Sequence, residues 1–318
     1  MKQLIGERME SNQYEKIDFD NADELWEELS PTRNFGLKPP YSLLYRGQGD
    51  ASWGLIPSSL RMQHIEKSFF PEAFEADLTK SIIKDEILSI AQFAIYCDRV
   101  GIKIPGDSES FRQQYIGINS SHAHLFIDHP QTWPPRVVFD LLAMAQHHGV
   151  ATRLLDWSTL AYTACYFAAS SSVANYKHWT KDSKLAIWVL NAKILKDTSS
   201  GILFDAPGST SPNLAAQYGK FTIYPPVDRY ESIESIKGLE YFLGQYQPPV
   251  LFRLTIPSSE SARLLGLCSI AGFSAADIYP STDGAGLAVR DDRNIQAARH
   301  YYMSSGGIPY NSKKVSRQ

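Results

Sequence analysis

The block Gln146-His147-His148-Gly149-Val150-Ala151-Thr152-Arg153-Leu154-Leu155-Asp156-Trp157-Ser158 sets two imidazoles, a guanidinium, a carboxylate and hydroxyls between two apolar helical patterns. Buried charges and imidazoles lose hydration, so a fold keeps them only where they pair, hydrogen-bond or meet a ligand. The block therefore points to a pocket lined with polar groups, and by itself it names no reaction.

The flanking patterns are well marked. Val137, Val138, Leu141, Leu142 and Ala145 predict a helix opened by Trp133-Pro134-Pro135, with Gly149 just beyond its end. Leu160, Ala161, Ala164, Cys165, Phe167 and Ala168 predict a second helix, whose small residues permit close approach to a neighbour, with Ser158 as N-cap. Upstream, Phe74, Leu78, Ile82, Ile83, Ile87, Ile90, Ala94 and Cys97 predict a long amphipathic helix closed by Gly101. A short helical pattern covers Ala22 to Leu29, and residues 102–133 read as an irregular excursion.

Strands are expected at Tyr41 to Tyr45, Trp53 to Ile56, Leu185 to Leu190, Phe221 to Tyr224, Leu251 to Ile256 and Ala275 to Tyr279. Ser258 to Ala271 reads as a helix, and Asp283-Gly284-Ala285-Gly286 as a turn. Helices crowd the first half and isolated strands the second, without steady βαβ alternation. That order predicts a single α+β domain with a mixed or largely antiparallel sheet. The domain is placed at 40–290, after an N-terminal helical extension at 1–39 and before a C-terminal tail at 291–318.

Composition narrows the function classes. A net charge of -3 gives no basic footprint for nucleic acid, and the short tail with Lys313, Lys314 and Arg317 reads as a solvated end. Between Asp156 and Lys177 no charge occurs, yet seven Ser, Thr and Asn residues make that stretch too polar for a membrane span. Cys97, Cys165 and Cys268 lack C-x-x-C spacing, and the acidic N-terminus lacks an apolar signal core, so a cytoplasmic location is expected.

Arg46 ends an otherwise uncharged strand, where its fork of donors suits a carboxylate or phosphate, or an internal partner such as Asp50 or Asp156. In an extended Thr152–Ser158, Thr152, Leu154, Asp156 and Ser158 share one face, and Arg153, Leu155 and Trp157 the other. Asp156 then meets a distant cation or caps the next helix. His147 and His148 close a helix and point apart, so one of them at most enters a given pocket, as a general acid or base or as a structural histidine. His122-Ala123-His124, in a polar stretch, makes a poor metal motif, and no metal site is expected. In Gln217-Tyr218-Gly219-Lys220-Phe221 an amide and a glycine stand at the mouth of a strand, as a ligand contact or a tight turn would require. The sequence holds no G-x-S-x-G, P-loop, H-E-x-x-H or G-x-G-x-x-G motif.

Tyr45-Arg46-Gly47-Gln48, Pro57-Ser58-Ser59-Leu60-Arg61 and the block from Gln146 to Ser158 together resemble the FRG domain family, named for an aromatic-Arg-Gly motif. Ala161 to Ala168, Gln217-x-Gly219-x-Phe221 and Asp277-Ile278-Tyr279-Pro280 extend the resemblance. Tyr45 replaces the name-giving Phe, and Asn213 stands where an arginine is expected before the late glutamine. The family is mainly bacterial, and some members are suspected of acting in defence against phage.

The order of an early arginine, a hydroxyl-bearing extended segment and a late Gln is also similar to that of arginine-type ADP-ribosyltransferases. The resemblance implies a nucleotide-like anionic ligand, with NAD as a substrate. Arg46, His147, His148 and Gln217 would be catalytic, and Tyr45, Gln48, Thr152, Arg153, Asp156 and Ser158 would bind the ligand. Gln217 stands where those enzymes carry a glutamate, and an amide cannot supply that negative charge. The rival expectation is a non-catalytic module that acts through a ligand or a protein partner, with the same polar residues forming a structural network.

Overall fold

In the computed structural model, which describes residues 14–33, 43–69, 77–197, 202–206, 212–246 and 249–304, seven strands are found among the described residues. They are β1 (Glu15–Asp18), β2 (Leu43–Gln48), β3 (Leu154–Ser158), β4 (Lys184–Asn191), β5 (Leu203–Phe204), β6 (Gly219–Ile223) and β7 (Leu251–Pro257). The chain divides into two compact units. The first takes the described residues of Gly54–Trp157 and Ile194–Tyr246, and the second those of Tyr14–Trp53, Ser158–Lys193 and Gln247–Gln318.

The second unit carries strands in the order β1-β7-β4-β2. β1 runs parallel to β7, and the β7–β4 and β4–β2 pairs are antiparallel, so the sheet is mixed as expected. One face is apolar. Tyr45, Ile187, Val189, Leu254 and Ile256 pack there with Ala164, Cys165 and Ala168 of the helix Ala161–Ala174 and with Leu264, Leu265 and Cys268 of the helix Ser261–Ile270. Each aliphatic side chain so buried stabilises the fold by about 1.5–3 kcal/mol.

The small residues of the Ala161–Ala174 helix serve the close approach that the sequence predicts. A Cβ on Gly47 would lie 1.9 Å from the Ala164 carbonyl oxygen, and one on Gly49 would lie 2.5 Å from Ser171 Oγ. The helix therefore rests directly on the β2 backbone, and strand alternation sends Arg46 and Gln48 to the opposite face.

The first unit carries β3, β6 and β5, neighbours in that order, under the long helix Leu78–Arg99 and the helix Phe139–His147. Ile83, Ile87, Ile90, Leu141, Leu142, Leu154 and Phe221 form its core. Gly149 ends the Phe139–His147 helix at φ 87°, a left-handed conformation that glycine adopts without strain.

Several local expectations are corrected. Ala275–Ile278 is a helix rather than a strand, begun by a capping box in which Ser274 and Asp277 bond reciprocally. Asp283 to Gly286 lies inside the helix Thr282–Ser304 rather than in a turn. A Cβ on Gly284 would fall 1.8 Å from Tyr279 O, so that glycine serves packing. Residues 291–304, assigned to the tail, continue this helix, and Asp291 accepts a hydrogen bond from Tyr166 Oη. Trp53 to Ile56 joins no ladder, and 102–133 includes the short helices Glu109–Tyr115 and Ala123–Asp128. Leu160, not Ser158, is the N-cap of the Ala161–Ala174 helix; Ser158 Oγ accepts from Leu160 N two residues further on, outside the helix. Tyr41 and the tail cations Lys313, Lys314 and Arg317 lie outside the described residues.

Candidate functional site

In the first unit the central block acts through the two faces of the extended segment that begins at Thr152 and continues as β3. On the inward face Arg153 is 2% exposed and Glu86, from the Leu78–Arg99 helix, is 3% exposed. Arg153 Nε donates to both Glu86 oxygens, Nη2 donates to Glu86 Oε2, and Nη1 donates to Trp133 O at 3.1 Å. Trp133 Nε1 and Ser59 Oγ complete the carboxylate's partners at 2.9 and 2.7 Å. A buried ion pair tolerates desolvation only when its remaining lone pairs and protons are satisfied, and here they are. Arg153, expected at the ligand, is instead a sealed structural arginine.

The other face carries a chain of hydrogen bonds that remains half-buried. Thr152 N donates to Ser58 Oγ at 3.2 Å, Thr152 Oγ1 donates to Gln146 Oε1, and Gln146 Nε2 donates to Asp156 Oδ1 at 2.8 Å. With its carbonyl oxygen occupied by Thr152, the Gln146 amide can only turn its NH2 toward Asp156. The carboxylate is thereby aimed. Its charge acts on Arg61, at the end of the Pro57-to-Arg61 motif, and on His147.

His147 ends the Phe139–His147 helix with its ring edge-on to Phe221, centroids 5.6 Å apart. Its Nε2 is buried and makes no hydrogen bond among the described residues. Burial lowers its pKa from the ordinary histidine value, and the Asp156 charge opposes that shift without cancelling it. The neutral ring thus keeps one nitrogen unused beside an aimed carboxylate. His148 is exposed and points elsewhere, stacked near Phe93, so the two histidines diverge as the sequence predicts.

Gln217 is buried at the entrance to β6, the strand next to β3. The following residue, Tyr218, is exposed and holds φ 49°, a left-handed conformation uncommon for an aromatic residue.

In the second unit the polar face of the sheet brings together residues that the sequence did not connect. Arg46 pairs in register with Trp188, Trp188 with Arg253, and Arg253 with Lys16. Direct partners share a face, so two arginines flank one indole across three adjacent strands. Trp188 Nε1 donates to Gln48 Oε1 at 2.6 Å, which fixes Gln48 beside the row. The Arg253 guanidinium lies 4.9 Å from the Tyr14 ring centre and 5.6 Å from that of Trp188. Its Nη1 donates to Ala51 O at 2.9 Å, while Nε is buried without a hydrogen bond among the described residues.

Of the residues expected in one site, His147, Thr152 and Asp156 converge in the first unit, with Gln146 and Arg61 added. Arg46 and Gln48 belong to the polar sheet face of the second unit. Tyr45 lies on its apolar face, 6% exposed, where burial raises its hydroxyl pKa to about 12. Tyr45 is thus a core residue, not a ligand contact. Ser158 is buried and pairs in register with Tyr45. Sequence reasoning missed Glu86 and Arg253, although Arg253 carries the same signal as Arg46: a lone arginine inside an apolar strand.

The chain is therefore a mixed α/β protein whose motif residues gather around one strand and one sheet face. The FRG domain family model matches residues 41–177, and the chain carries an FRG domain over that span. The match takes in Arg46, Arg61 and the whole central block, and ends before Gln217 and Arg253. No curated protein and no solved structure matches the chain.

Proposed function

We propose that this FRG-domain chain is an enzyme acting on a nucleotide-like anionic substrate, with NAD as that substrate, and that the first unit supplies the proton chemistry. The observation that carries the reading is the hydrogen-bonded line from Ser58 through Thr152 and Gln146 to Asp156, which aims a carboxylate beside an imidazole whose Nε2 is unused. A neutral imidazole accepts protons, and an oriented carboxylate stabilises positive charge.

In the proposed glycosyl transfer the bond between the ribose C1′ and nicotinamide breaks, and nicotinamide leaves with the electron pair. An acceptor hydroxyl or water then bonds to C1′ and gives its proton to His147 Nε2. Asp156 supplies the negative charge that Gln217 lacks, Gln217 orients the ribose by hydrogen bonding, and Arg61 meets the phosphates. Gln146 and Thr152 are positioning residues.

Incubation of the full chain with NAD, with released nicotinamide measured by chromatography, tests the reading. Wild type should release nicotinamide, and Asp156→Asn and His147→Gln should each lose at least tenfold in kcat. Absence of both NAD binding and turnover in the wild type would end it. The alternative of a purely structural network holds for the Arg153–Glu86 layer, which is sealed from solvent on both partners.

A further inference from the structure

In the second unit the helix Thr282–Ser304 packs against the helix Ser261–Ile270 and against the turn Tyr176–His178. The Tyr176 and Tyr301 rings meet edge-on with centroids 5.3 Å apart, which ties the turn to the helix. Trp179 follows the turn, and its Nε1 donates to Ser172 O at 3.1 Å, so the indole is held in place. An open groove lies between these elements. Trp179, Tyr302 and Met303 line it together with Ala262 and Ala298, two buried alanines whose short side chains leave its base hollow.

The size of that hollow selects what can enter. Its cavity volume is about 30 Å³. One water needs about 10–15 Å³ and a benzene ring about 150 Å³, so the forked end of a branched aliphatic chain fits and a nucleobase does not. The lining is apolar and aromatic apart from a few polar groups, as in small-molecule sites generally. Arg299 is the one charged residue that lines the groove. It is exposed, and no acid pairs with it among the described residues. A guanidinium fork matches a carboxylate with two parallel hydrogen bonds, and a single cation suits a monoanion.

We infer that this groove binds a small branched aliphatic carboxylate, with the forked alkyl end seated over Ala262 and Ala298 and the carboxylate held by Arg299. The alkyl end contributes through burial against the indole and the alanines, and the charge sets the orientation. The site stands apart from the proposed glycosyl transfer: it lies wholly within the second unit, uses none of the residues assigned to that chemistry and is too small for a nucleotide base.

Titration of the full chain with isovalerate, followed by NMR on the Trp179 indole N–H signal, tests the site; the signal is assigned by its loss in Trp179→Phe. Isovaleramide keeps the alkyl fork without the charge, and acetate keeps the charge without the fork. Isovalerate should shift the Trp179 signal and bind at least fivefold more tightly than either. Arg299→Gln, a change at an exposed position, should remove the preference for isovalerate over isovaleramide, and Ala262→Leu should fill the hollow and abolish the shift. Should Ala262→Leu fail to fold, the comparison of isovalerate with acetate carries the same test. No Trp179 shift with millimolar isovalerate, equal affinity for isovaleramide or acetate, or a preference that survives Arg299→Gln would each overturn the assignment. A Trp179 shift produced by NAD and not by isovalerate would overturn it too, whereas isovalerate binding without nicotinamide release leaves it standing and removes only the glycosyl transfer.

Discussion

Gly47 and Ala164 are in backbone contact: a Cβ on the glycine would lie 1.9 Å from the Ala164 carbonyl oxygen and 2.6 Å from Ala168 N. This contact gives the aromatic-Arg-Gly motif a physical meaning. The aromatic Tyr45 and the glycine share the face on which the Ala161–Ala174 helix lies, and the arginine between them must point the other way. Gly47→Ala is expected to destabilise the protein by about 1–3 kcal/mol or more, because the clashing atoms are helix backbone and cannot rotate aside. Urea denaturation reads the loss directly. A variant as stable as wild type would mean that helix and strand are not in contact at this point.

The Arg153–Glu86 pair makes a contrasting prediction about charge. Removing one partner leaves the other buried and uncompensated, so Glu86→Leu and Arg153→Met should each cost about 3–5 kcal/mol. The double replacement Glu86→Leu with Arg153→Met leaves no stranded charge. It should recover a large part of that loss, although Trp133 Nε1 and Ser59 Oγ lose their acceptor. Denaturation of the four proteins in one double-mutant cycle measures the coupling. Additive losses would show that the two side chains act independently.

What was legible in the sequence was whatever local patterning decides. The two faces of Thr152 to Ser158, the helix carrying Ala161 to Ala168 and the buried run Leu185 to Leu190 follow from periodicity alone, and each is found. β1 was not legible: Glu-Lys-Ile-Asp has a single apolar residue, and only its pairing with β7 makes it a strand. Ala275 to Ile278 reads equally as strand or helix over so few residues, and the Ser274–Asp277 capping box decides for the helix. Long-range partnership was invisible. Arg153 finds Glu86 across 67 positions of sequence, and Arg46 meets Arg253 only through the register of β4 between them. A lone arginine in an apolar strand signals that something must be paid attention to by its surroundings, but periodicity does not say what.

His147 links the first unit's site to acidity. Its folded-state pKa lies below the ordinary value of 6.5 because burial disfavours the charged ring. The unfolded chain therefore takes up this proton first as pH falls. The stability contributed by the neutral ring is full above about pH 6.5 and is lost as the pH drops through that value toward the folded pKa. Urea denaturation at pH 7.5 and 5.5 should show wild type losing more stability on acidification than His147→Gln does. Asp156 acts in the opposite direction, since its charge favours the protonated ring. Asp156→Asn should lower the His147 pKa further, read from the ring-proton shifts in an NMR titration. An unchanged His147 titration in Asp156→Asn would show that the carboxylate and the imidazole are not electrostatically coupled, and the proton chemistry assigned to this pair would lose its basis.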